Sequence, residues 1–172
     1  ILIYKLSREM YGDKNNIAFF SASIWLSLLI IGVGSFLFST DTPLMLIWTA
    51  GLLAIYYAKD KKKVSLWFFA GSVAGIGMLA KYASIYLPLG IMIWFLLLYK
   101  ESTHKKLKYL IFYLLGFVIL ASPNLIWNLN NNFNTINHLL DNAVVNSPNY
   151  SVTGSISFIL SQIAVLGPIL FF

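Results

Sequence analysis

Ionisable side chains are scarce in this 172-residue chain, 10% charged against 59% hydrophobic, so the few that interrupt apolar stretches are the first candidates for chemistry. Asp41 stands in Ser39-Thr40-Asp41-Thr42-Pro43, at the end of a long apolar run. A carboxylate at membrane depth is costly unless something uses it. It can bind a divalent metal cation or a substrate hydroxyl. It can also cap a helix opening at Pro43, a residue suited to a first turn, by accepting an orphan backbone N–H. Lys81 follows Gly75-Ile76-Gly77-Met78-Leu79-Ala80 and precedes Tyr82. A lone ammonium between two short apolar segments suits a phosphate, and it can equally snorkel to lipid headgroups.

Ser122-Pro123-Asn124-Leu125-Ile126-Trp127-Asn128 places two amides beside a proline. Asn124 and Asn128 can hold a polar headgroup; alternatively they satisfy carbonyls freed by a proline kink while Trp127 joins an aromatic belt. His138 lies outside the basic loops and titrates near neutral pH, which makes it a candidate ligand or acid/base, although a lone surface histidine usually does neither. The chain has no cysteine, which excludes thiolate nucleophiles, disulfides and Cys-ligated zinc or iron–sulfur centres. The glycines between Gly71 and Gly77 lack the strand context and Lys-Ser/Thr ending of a nucleotide loop, and read as helix-packing contacts.

Elements that could position these groups must be built from lipid-compatible helices. A soluble domain averages about 45–50% apolar and about 25% charged residues, and a mean hydropathy of +0.77 lies far from that. Runs near the ~20 residues needed to cross a bilayer occur at Ile17–Phe38, Leu44–Ala58, Val64–Ala80, Ala83–Tyr99 and Tyr109–Trp127, with a last run from Ile156. The expected fold is an all-α, polytopic transmembrane helix bundle of about six spans in a single domain. Val64 to Tyr99 would be about 54 Å as one straight helix, so two short spans hinged at Lys81 are preferred. Charge supports the hinge: Lys59-Asp60-Lys61-Lys62-Lys63 and the Lys100–Lys108 loop are both basic, so both face the cytoplasm and an even number of crossings separates them. Lys81 is then alone on the far side, and the other eleven of the twelve Lys and Arg agree. Asp41, Lys81, His138 and Asp141 share that far side. There the Asn-rich stretch after Asn128, with Leu139-Leu140 and Val144-Val145, suggests an interfacial amphipathic helix. Positive charge gathered in loops implies a bilayer partner and no nucleic acid.

From Tyr4-Lys5-Leu6-Ser7-Arg8-Glu9-Met10-Tyr11-Gly12 onward, the order of features resembles one family. Thr40-Asp41-Thr42-Pro43-Leu44 is similar to its second acidic loop. Trp67-Phe68-Phe69-Ala70-Gly71 through Gly77-Met78-Leu79-Ala80-Lys81-Tyr82 is similar to its glycine-bearing span ending in Lys-Tyr, and Ser122 to Asn128 resembles a segment of several bacterial members. These are the C-type (GT-C) membrane glycosyltransferases of the protein O-mannosyltransferase and aminoarabinose transferase superfamily, glycosyltransferase family 39 type. The resemblance covers about three quarters of the chain.

The resemblance implies transfer of a sugar from a polyprenyl-phosphate donor to an acceptor on the periplasmic side of a bacterial inner membrane. Asp41 would bind a divalent metal or position the donor phosphate. Lys81 and Tyr82 would neutralise and hydrogen-bond that phosphate, with Asn124, Asn128 and His138 as further substrate-binding candidates. The family's principal catalytic carboxylate lies in a loop expected before Ile1, and its later spans after Phe172, so the chain is expected to be an inactive part of an enzyme. Competing readings are a transporter or flippase of lipid-linked or small solutes, to which glycine-bearing broken helices also belong, and a remnant of a split gene.

Overall fold

The computed structural model describes residues 1–12, 16–28, 31, 34, 39–143 and 151–166. Among them all regular structure is helical: α1 (Leu2–Tyr11), α2 (Ile17–Ser27), α3 (Asp41–Lys61), α4 (Val64–Ala80), a 3-10 turn (Tyr82–Ile85), α5 (Tyr86–Leu97), α6 (Thr103–Asn130), α7 (Asn134–Ala143) and α8 (Val152–Leu166). By length and composition, α6 is the described helix that alone suffices to cross a membrane; α2, α4 and the Tyr82–Leu97 run are shorter apolar helices.

Three expectations about helix bounds change. A continuous span from Ile17 to Phe38 is not formed, because α2 ends at Ser27 and Leu28 turns to extended backbone (φ −62°, ψ 123°). Ser27 Oγ donates back to the Ser23 carbonyl at 2.8 Å, a local bond that competes with the helix ladder. The helix expected from Pro43 opens two residues earlier, at Asp41. The proline-bearing span runs well past its apolar core, from Thr103 to Asn130, with Pro123 inside it. Proline removes the N–H that would bond the carbonyl four residues back. Ser122 Oγ supplies the missing donor, reaching the Ile119 carbonyl at 2.7 Å.

The break at Lys81 forms as expected. Lys81 adopts extended backbone (φ −160°, ψ 138°) between α4 and the 3-10 turn, and α5 folds back along α4. Trp67, fully buried near the start of α4, meets Phe95 at 4.8 Å and Tyr109 at 5.6 Å between ring centroids. Each such pair contributes about 0.5–1.5 kcal/mol beyond burial.

Helix α4 is the centre of the bundle, packed between α3 and α6. Its contact with α6 is backbone on backbone. A Cβ added to Gly71 would sit 1.8 Å from the Tyr113 carbonyl oxygen, and one on Gly116 would sit 2.2 Å from that of Phe68. Only residues without a side chain let two helices approach this closely.

Both basic loops lie at one end of the bundle. Lys62 Nζ meets Glu101 Oε1 at 2.5 Å, and the Tyr109 hydroxyl donates to the Lys62 carbonyl at 2.9 Å. The hydrogen bond with Lys62 holds the Glu101 carboxyl below its usual range, and the same bond raises the Lys62 ammonium. At this end α1 is also clasped to α3, the Tyr57 hydroxyl donating to the Glu9 carboxylate at 2.6 Å and the Tyr56 hydroxyl to the Glu9 carbonyl. Asp41, Lys81 and Asn128 occupy the opposite end. Outward side chains of α6 such as Ile111, Leu115, Val118, Ile119 and Ile126 are exposed, a contiguous apolar face of the kind that meets another apolar phase.

Candidate functional site

Asp41 is the first residue of α3. No capping bond from its side chain forms; instead its backbone N–H donates to Ser39 Oγ at 3.3 Å. The carboxylate is therefore free for a tertiary partner, in a first turn whose dipole favours negative charge. That partner is Lys81, whose Nζ lies 2.5 Å from Asp41 Oδ1. Two residues forty positions apart, each with a bland local explanation, are thus one ion pair. Both side chains are about half exposed.

The turn carrying Lys81 is fixed from beneath. The Lys81 N–H bonds the Gly77 carbonyl at 3.1 Å, and the Lys81 carbonyl accepts the Ser84 N–H at 2.9 Å. Ser84 is fully buried, and its Oγ would lie 2.1 Å from a Cβ at Gly77, so that glycine makes room for the turn.

Tyr82 takes the other direction. Lys81 is extended and Tyr82 opens the 3-10 turn, and while Lys81 reaches α3, Tyr82 reaches α6. Its hydroxyl donates to Asn124 Oδ1 at 2.8 Å and accepts from Asn128 Nδ2 at 2.9 Å. Asn128 Nδ2 also faces the Asn124 carbonyl at 3.0 Å and Asn124 Oδ1 at 3.1 Å. Lys81 and Tyr82 are thus two adjacent arms on separate helices. Burial raises the Tyr82 phenol, but hydrogen bonding with Thr135, Asn128 and Asn124 outweighs it and brings the group below its ordinary value.

Thr135 is brought to Tyr82 by the turn after α6, where Asn132 and Phe133 adopt positive φ (53° and 56°) and the Phe133 N–H returns to the Asn128 carbonyl at 2.8 Å. Neither Thr135 nor Ser84 stands out in the sequence; their one signal is a small polar residue close to a predicted turn. His138 falls in α7, and its side chain lies outside the described residues, as do Lys14 and Val144-Val145.

Asp41 also lines a cavity of about 800 Å³ between α1, α2 and α3, whose walls include Trp25, Leu26, Ile31 and Met45, with Thr49 as a further polar group. Lys81 reaches this chamber only through its ion pair with the lining carboxylate of Asp41. Among the described residues no group of three metal-ligating side chains occurs.

The class the structure defines is a helical bundle with a charged pair at one end and an apolar chamber beside it. The sequence profile of the dolichyl-phosphate-mannose-protein mannosyltransferase family matches residues 1–127, and the chain belongs to that family. The match takes in Asp41, Lys81, Tyr82 and Asn124, and stops one residue short of Asn128. The chain is also 26% identical over all 172 residues to the lipid A galacturonosyltransferase RgtD of Rhizobium johnstonii, of which it spans 36%. No solved structure matches it.

Proposed function

We propose that this chain forms part of an integral membrane glycosyltransferase that moves a sugar from a polyprenyl-phosphate donor to an acceptor on the periplasmic side of a bacterial inner membrane. The observation that carries the reading is the convergence of Asp41 and Lys81 from separate helices, with Asp41 lining an apolar cavity. Family membership supports sugar transfer, and the gathering of lysines at the opposite end supports the sidedness. The outward apolar side chains of α6 support the membrane setting.

In this reading the cavity receives the prenyl tail and Lys81 meets the phosphate. An acceptor hydroxyl oxygen attacks the anomeric carbon as the bond from that carbon to the phosphate oxygen breaks. The phosphate departs with the electron pair, the sugar inverts, and the hydroxyl proton passes to a general base. Negative charge grows on the leaving phosphate, where a fixed ammonium in a water-poor cleft is most effective. Asp41 holds that ammonium in place and offers its second oxygen to a sugar hydroxyl.

The test is Asp41→Asn in the full-length protein in membrane vesicles, supplied with polyprenyl-phosphate mannose and scored for released polyprenyl phosphate. Loss of release of at least tenfold, the worth of one charge-assisted contact, with membrane insertion intact, is expected. Full release in the variant refutes the role of Asp41. Passage of intact donor across the vesicle without any release of phosphate assigns a transporter instead.

A further inference from the structure

We infer that Asn128 is a positioning residue: by holding the Tyr82 hydroxyl on α6, it fixes the turn that delivers the Lys81 ammonium to Asp41. Its use in catalysis rests on the transferase reading, while the coupling itself rests on geometry alone. An ion pair whose side chains are 41% and 51% exposed is weakly self-sustaining, because ordering two flexible chains in screening water cancels most of the attraction. What surrounds Lys81 is better anchored. Ser84 is buried against Gly77 on one side, and the Tyr82 hydroxyl sits between two amides on the other.

Asn128 is the buried member of that group, 2% exposed, and its amide nitrogen faces three acceptors while its own Oδ1 has no partner among the described residues. Leaving a buried acceptor unpaired costs stability, so the residue does not serve α6 in the cheapest way. Asn131 does: its Nδ2 donates to the Trp127 carbonyl at 2.7 Å and does not reach the turn. The two amides, three positions apart at the same helix end, separate the coupling from ordinary helix-end repair.

The readout is the acetylation rate of individual lysines in the full-length protein in vesicles, measured by mass spectrometry with an amine-reactive acetylating reagent and no sugar donor present. Asn128→Ala should speed labelling of Lys81 about fivefold, the population change one neutral hydrogen bond supports, with Lys62 unchanged in its pair with Glu101. Tyr82→Phe should give the same rise, the double variant no more than either alone, and Asn131→Ala none. If both Asn128→Ala and Tyr82→Phe leave Lys81 unchanged, or if Asn131→Ala raises it equally, the inference fails. The outcome is independent of activity. Should Asp41→Asn retain full transfer while Asn128→Ala frees Lys81, the transferase role of the pair falls and the positioning of Lys81 stands.

Discussion

Replacing Lys81 by methionine separates what the ion pair does for the fold from what it does for a substrate. At the observed 2.5 Å, two unit charges in bulk water attract by about 1.7 kcal/mol. Side-chain ordering and salt reduce an exposed pair of this kind to about 0–1 kcal/mol. Methionine keeps most of the aliphatic stem, so unfolding in detergent should shift by no more than that. A donor phosphate, in contrast, would lose a charge-assisted hydrogen bond worth about 1.5–3 kcal/mol, which converts to about 10- to 150-fold in apparent affinity. The assay is initial transfer rate against concentration of polyprenyl-phosphate mannose at saturating acceptor, with Lys81→Arg as the charge-keeping comparison. Donor KM should rise by that factor in Lys81→Met and recover at least partly in Lys81→Arg. An unchanged KM together with unchanged stability would refute the reasoning and leave Lys81 a headgroup-facing cation. A collapse of stability would show that the pair is structural.

Other consequences are equally direct. Gly71→Leu should destabilise by more than the ~1–3 kcal/mol of ordinary overpacking, because the added Cβ falls 1.8 Å from a backbone oxygen that cannot swing aside; chemical unfolding followed by tryptophan fluorescence measures it, and a neutral result would mean that α4 and α6 are not in backbone contact. Ser122→Ala should cost about 1 kcal/mol by orphaning the Ile119 carbonyl, and this cost should vanish in a Pro123→Ala background, where a backbone N–H returns to that carbonyl; an additive double variant would contradict the assignment. The Lys62–Glu101 clasp has a pH window. Glu101 is depressed, so its contribution is present above the ordinary glutamate value of about 4.3 and lost as pH falls through its lower folded value; Lys62 is raised, so its contribution persists below the ordinary lysine value and fades as pH climbs through its higher folded one. The melting difference between wild type and Glu101→Gln, present at neutral pH, should close in acid; a difference that survives there has another origin.

Much of this protein was legible before any coordinates. Its hydropathy calls for apolar helices, and among the described residues all regular structure is helical. The placement of lysines calls for a break at Lys81 and for both basic loops at one end, which is where Lys62 and Glu101 meet. Asp41, Lys81, Tyr82, Asn124 and Asn128 could be picked out as polar groups interrupting apolar runs. The contacts that join Tyr82 to Asn124 and Asn128 could not. Whether Asp41 caps its own helix or binds a cation depends on what lies across space, since both uses suit the same residue at the same helix start; the fold chose the cation by bringing α4 to α3. The resemblance names Tyr82 beside Lys81, and only the fold shows that the two side chains reach different helices. The end of α2 at Ser27 was also beyond reach, set by side-chain back-bonding, as was the lining of the cavity beside Asp41, a space between three helices. Composition and charge order determine which segments are helices and which ends they share, because those are properties of one segment in its solvent. Which side chains touch is decided by glycine-permitted helix crossings of a few ångströms, and distance across a crossing is written in no single segment.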